Sequence, residues 1–195
     1  MANKKTRAVS RDELNLIIDT INTGFTLPNG KRVRSNERIG ICLLLEAQMG
    51  LRLGDIVRLR LCDIVLENGK YRLNYFEEQK TKKSRHFLVP TEVYIFLQDY
   101  ALRHNLKPTQ RLFDISVRTV QNHLQLTCEF LNLQGIGSHS MRKHFSQQIY
   151  ENNGYDVLLV KELLQHSNVA ITQRYLGVSS QRAEQALKKH IVIPT

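Results

Sequence analysis

Between Glu37 and Met49 the chain reads Glu-Arg-Ile-Gly-Ile-Cys-Leu-Leu-Leu-Glu-Ala-Gln-Met, which as a helix is apolar on nearly every side. Such a helix has no face polar enough to lie against water, so it belongs in the centre of a core with other elements wrapped round it. Gly50 follows and ends it. The rest of the chain must supply the covers. Ser10 and Glu13 have capping-box spacing, and Leu14, Ile17, Ile18 and Ile21 then fall on one face, which predicts a first helix of about three turns. Residues 23–35, with Gly24, Pro28, Asn29 and Gly30 among basic side chains, read as an exposed loop.

After a short helical stretch at 53–59, Ile64-Val-Leu and the segment Tyr71 to Phe76 flank Asn68-Gly69. That dipeptide tolerates the positive φ values of a tight hairpin turn, and residues 85–89 supply a third strand. From Pro90 onward the turn and cap signals separate helices alone, at 91–104, 116–131, 140–152, 156–165, around Thr172, and at 180–190. No repeat, low-complexity tract or linker interrupts the 195 residues. The expected fold is mainly α with one small antiparallel β-sheet, an α+β class. Residues 1–9 read as a basic flexible tail and 10–195 as a single domain, with 178–195 a C-terminal tail helix.

Charge limits the partner. Lys and Arg total 28 against 18 Asp and Glu, a formal net charge of +10, while 42% apolar and 24% charged residues are ordinary globular usage. The excess positive charge therefore sits on a folded body and points to a polyanion. Three cysteines, Cys42, Cys62 and Cys128, lack any CxxC spacing and suggest a reducing cytosol rather than a disulfide framework or a zinc knuckle. The first residues have no apolar segment behind their charges, and the longest purely apolar run is 41–45, so neither secretion nor a membrane span is expected.

Three clusters carry candidate chemistry. Arg52, in Gly50-Leu-Arg-Leu-Gly-Asp, lies at a junction between helices among apolar neighbours. Its planar fork of donors suits phosphate oxygens, and the alternative is a structural ion pair with Asp55 or Glu46. His139 and Arg142, three residues apart, open a helix after the Gly135-Ile-Gly137 turn and share its face. A helix N-terminus adds free amides and a positive dipole end there, although a His cap beside a surface Arg is the competing reading. In the third cluster an apolar helix ends at His166, and Tyr175 follows nine residues on. Taken alone, that His and Tyr read as packing residues. All three clusters in one basic chain do not.

Gly-Leu-Arg52-Leu-Gly-Asp55, His139-x-x-Arg142 and Leu-x-His166 followed by Tyr175 resemble, in order and spacing, the signature of the tyrosine recombinase, or phage integrase, family. Gln79-Lys80-Thr81 ahead of Val89-Pro90 is similar to the strand pair that carries the family's catalytic lysine. The resemblance covers roughly residues 10–190. It implies a DNA breaking-rejoining catalytic domain without the separate N-terminal DNA-clamping domain of many members. The chain is then either a short single-domain member or part of a longer one. Lys143 stands where the family often has His, and Gln165 where Gly is common.

The resemblance further implies a role for each matching position. Arg52 and Arg142 would hold the non-bridging oxygens of the scissile phosphate, and Tyr175 would attack phosphorus to give a 3′-phosphotyrosine. His139 and His166 would assist, Lys80 would protonate the departing 5′ oxygen, and Asp55 would orient the groups nearby. No metal or other cofactor is implied. Double-stranded DNA is the implied partner, with four protomers assembling on two sites and a monomer allowed without DNA. Lys82, Lys83 and Arg85 either track the DNA backbone or form a solvated strand end. The tail helix either docks on a neighbouring subunit or packs on its own domain. The chemistry agrees with these roles, since two fixed guanidiniums meet the charge that builds on phosphate oxygens. A phenol of pKa about 10 also needs cationic or imidazole neighbours to attack at neutral pH. The resulting expectation is a bacterial or phage enzyme of the nucleoid that integrates, excises or inverts DNA. Competing expectations are a catalytically silent DNA-binding accessory protein of the same fold and a strand relaxer resembling a type IB topoisomerase.

Overall fold

The computed structural model describes residues 6–77 and 84–176. They form two compact units, one up to Phe145 and one from Ser146, where the sequence reads as a single domain.

In the first unit, helix α1 (Arg11–Thr23) starts from the expected capping box. The Ser10 hydroxyl accepts from the Glu13 N–H, and the Glu13 carboxylate accepts from the Ser10 N–H. Leu14, Ile17 and Ile21 are buried along one face. Helix α2 (Glu37–Met49), capped by the Asn36 side chain, runs through the core as its all-round apolarity requires; Ile39, Cys42, Leu43 and Met49 are essentially fully buried. Gly50 ends it in the left-handed conformation at φ 59°. Helix α3 is a single turn, Leu53–Ile56, shorter than the expected 53–59, and a 3₁₀ turn follows at Leu61–Asp63.

The stretch expected as a loop at 23–35 contains a two-stranded hairpin, β1 (Phe25–Thr26) paired with β2 (Arg32–Val33). Phe25, Leu27 and Val33 are buried together against Leu126, and that apolar contact holds the hairpin down. Strands β3 (Ile64–Glu67), β4 (Lys70–Glu77) and β5 (Ser84–Val89) form the expected three-stranded antiparallel sheet. Asn68 and Gly69 turn β3 into β4 with φ of 49° and 72°. Helices α4 (Thr91–Arg103) and α5 (Val117–Phe130) complete the core, with Leu97, Tyr100, Val120 and Leu124 buried.

Residues 6–9 depart from a flexible tail. The Arg7 guanidinium spans both Glu13 carboxylate oxygens at 2.7 and 2.6 Å, its backbone N–H donates to Gly135, and the Val9 carbonyl lies 2.8 Å from Nδ1 of His144. Val9 is buried in the core.

Helix α6 (Ser140–Asn152) carries the chain from the first unit into the second. In the second unit α7 (Val157–Leu164) is capped by Asp156, whose carboxylate accepts from the Leu158 and Leu159 N–H groups. Gln165 stops it at φ 52°, and α8 (Val169–Leu176) follows. Val160, Leu164, Thr172 and Leu176 are buried. The expected helix at 180–190, and the tail of which it is part, lie outside the described residues.

Candidate active site

The left-handed turn at Gly50 redirects the chain so that Leu51 and Leu53 both enter the core, which leaves Arg52 between them at the N-cap of α3 with an extended backbone, φ −76° and ψ 142°. Its side chain is half-buried and lines a pocket of about 430 Å³ together with Glu46, Asp55, Gln121, Ser138 and His139. Arg52 and His139 are far apart in sequence, and the fold of the first unit brings them to one cavity. His139 stands immediately ahead of α6, whose first turn is tied by Ser140: its N–H donates to the Gly137 carbonyl, and its hydroxyl accepts from the Gly137 N–H at 3.0 Å. His139 itself is exposed.

Arg142, the next residue on that helix face, is not among those lining the pocket. It is 2% exposed, and its guanidinium donates to the Gly50 carbonyl at the C-terminal end of α2. A cation there meets the negative end of the helix dipole. Asp55 is buried and bonded to Arg58 at 2.9 Å, and Glu46 lies within electrostatic reach of Arg142. Each of the two carboxylates named as alternative partners for Arg52 thus also meets another cation. Glu46, read from the sequence only as a possible ion-pair partner of Arg52, is a functional candidate. It is 1% exposed, its carboxyl accepts from the Leu53 N–H, and burial holds its pKa well above the usual carboxylate range despite the opposing charge of Arg142. The available signal was a carboxylate in an otherwise apolar helix.

In the second unit His166 follows the left-handed Gln165 and is half-buried. Its Nδ1 lies 3.0 Å from the Thr172 hydroxyl, and its ring stands edge-on to that of Tyr175, with centroids 5.3 Å apart at 70°. Thr172 and Tyr175 are three residues apart on α8, so one helix face presents both to the imidazole. Thr172, fully buried, is a second residue that the motif reading passed over. Lys80, Lys82 and Lys83 lie outside the described residues; Arg85 lies in β5, its backbone opposite Phe76. Among the described residues no helix is long and apolar enough to cross a membrane.

Fold and side chains together define a class: the chain has the fold of tyrosine recombinase catalytic domains. It aligns with the catalytic domain of bacteriophage HP1 integrase at a TM-score of 0.62 and 19% identity, covering 95% of each chain. With the XerH site-specific recombinase bound to palindromic difH substrate, the TM-score is 0.70 at 20% identity, over 96% of this chain and 54% of that one. The family model described as the phage integrase family matches residues 7–182, and the chain belongs to that family. It is 29% identical over 168 residues to the probable integrase/recombinase YoeC of Bacillus subtilis strain 168, covering 80% of this chain and 86% of that protein. It is also 31% identical over 142 residues to the tyrosine recombinase XerC of Proteus mirabilis, covering 68% of this chain and 45% of that protein.

Proposed function

We propose that this chain is a site-specific DNA recombinase that cleaves and rejoins DNA through a 3′-phosphotyrosine on Tyr175. The observation that carries the reading is the cavity that Arg52 and His139 line together, two motif positions far apart in sequence. In the proposed reaction Arg52 and Arg142 bind the non-bridging oxygens of the scissile phosphate and offset the charge that builds there on attack. The Tyr175 oxygen bonds to phosphorus, its proton passes to a neighbouring base, and the bond to the 5′ oxygen breaks. Lys80 protonates that oxygen. Attack by a 5′ hydroxyl on the phosphotyrosine reverses the step and rejoins a strand without ATP. His166, held by Thr172 beside the Tyr175 ring, and His139, in the pocket with Arg52, serve the proton movements. Asp55 orients its neighbours in the same pocket.

Double-stranded DNA is the proposed partner, four protomers on two sites the proposed assembly, and the nucleoid the proposed place of action. Lys82, Lys83 and Arg85 supply backbone contacts, in keeping with the net charge of +10. The test is covalent trapping on a suicide duplex, nicked beside the cleavage position and chosen by binding from a random pool. Wild-type protein should form an adduct that survives detergent, and Tyr175→Phe none. Equal adducts from both proteins would remove Tyr175 from the role, and salt-sensitive binding without any adduct would leave a DNA-binding accessory protein. Relaxation of plasmid by dilute protein without site preference would identify a topoisomerase.

A further inference from the structure

Glu46 has no part in the chemistry above, yet it lines the same pocket as Arg52 and His139. On α2 its neighbours Cys42, Leu43, Leu45, Ala47 and Met49 are apolar and buried, and Glu46 itself is 1% exposed. The Leu53 N–H donates to its carboxyl, while Oε2 has no hydrogen-bond partner among the described residues. A carboxylate so placed is costly, because one oxygen has given up water for nothing. The same group as a carboxylic acid is neutral and has a proton to donate from that oxygen. The pocket it lines also holds Arg52. A phosphate arriving there would put a second anion beside Glu46, and like charges at close range are relieved by protonating one of them.

We propose that Glu46 is a proton-linked positioning residue: a phosphate docks at Arg52 together with a solvent proton taken up by the Glu46 carboxyl, which releases the charge of Arg142 to the phosphate. The inference rests on the reading that this pocket receives a DNA phosphate. One negative charge and one proton enter together, so the net charge of the pocket is unchanged. The groups facing Glu46 are Cys42 on its own helix, Arg52 and Asp55 at α3, His139 ahead of α6, and Arg142 within α6. Of these, Arg142 opposes protonation of Glu46 and burial outweighs it.

The test is a carboxyl-carbon NMR titration of the full chain carrying Tyr175→Phe, labelled at glutamate. It is run in chloride, in sulfate of matched ionic strength, and with a short duplex of arbitrary sequence. Sulfate carries no titrating proton near neutral pH, so any shift belongs to the protein. The Glu46 resonance, identified by its loss in Glu46→Gln, or in Glu46→Asp should the amide variant not fold, should titrate about one pH unit higher with sulfate or duplex. Arg52→Ala should abolish that rise. A midpoint equal in chloride, sulfate and duplex, or a rise that survives Arg52→Ala, would overturn the proposal. A rise without any covalent adduct in the trapping assay upholds the proton linkage and removes the recombinase reading; an adduct without the rise does the reverse.

Discussion

The guanidinium of Arg142 donates to the carbonyl of Gly50, 92 residues away, and so ties the first turn of α6 to the C-terminal end of α2. Gly50 makes the carbonyl available by turning the chain left-handed at the helix end. The guanidinium gains a helix terminus of favourable sign, and the bond sets its orientation. The turn that presents this carbonyl also carries the chain to Arg52, so one backbone conformation positions both arginines of the motif.

Gly50→Ala should therefore be costly. A left-handed residue with a Cβ is strained, and the Cβ itself would run into the buried Phe145 ring. Together these should lower stability by about 2–4 kcal/mol. Urea unfolding would measure it, and a loss under about 1 kcal/mol would show that Phe145 moves aside cheaply.

Gln165 also sits at a left-handed helix end, φ 52°, but with a side chain whose Oε1 is buried without a hydrogen-bond partner among the described residues. Gln165→Gly should relieve both features and stabilise the protein by about 1 kcal/mol, raising Tm by about 2–4 °C. An unchanged or lower Tm would mean that the amide contributes more than its backbone strain costs.

Much of this arrangement was legible in the sequence, for identifiable reasons. Period and capping carried α1 and α2, and the Asn68-Gly69 turn carried the β3–β4 hairpin, because each signal is local. The β1–β2 hairpin was hidden because its two-residue strands are outweighed by Gly24, Pro28, Asn29 and Gly30, and its stability comes from Leu126, about a hundred residues on. The anchoring of residues 6–9 depends on Gly135 and His144, also distant in sequence. The boundary between the two units falls inside α6, where no change of composition marks it. Within the site, spacing drew attention to Arg52, His139, His166 and Tyr175. Glu46 was read only as an ion-pair partner and Thr172 only as a helix position, because their roles come from what they touch.

Acid should weaken the anchoring of the N-terminal segment. The Arg7 guanidinium, bonded to both carboxylate oxygens of Glu13, lowers that pKa to about 2, and the Ser10 N–H and hydroxyl assist. A carboxyl depressed on folding contributes stability above its unfolded pKa of about 4.3 and loses it as pH falls toward the folded value. Because the Arg7 side of the pair is exposed, water screens it and the contribution is about 1 kcal/mol. The stability difference between wild type and Glu13→Gln should be present at neutral pH, shrink between about pH 4.3 and 2, and vanish below. A difference independent of pH over that window would assign the effect to packing instead.

Thr172 offers the sharpest probe of the second unit. Its hydroxyl lies 3.0 Å from Nδ1 of His166, and Tyr175 stands on the same helix face with its ring edge-on to that imidazole. Thr172→Val keeps the buried shape but removes the hydrogen bond to Nδ1 that helps to orient the imidazole. Losing about 1.4 kcal/mol of such orientation slows a step about tenfold. In the trapping assay Thr172→Val should form the Tyr175 adduct about tenfold more slowly with little change in Tm, and with an altered dependence of rate on pH. Thr172→Ser, which restores a hydroxyl, should recover most of the rate and the wild-type profile. Equal rates and profiles for the valine and threonine proteins would leave Thr172 as packing and make the imidazole's orientation independent of it.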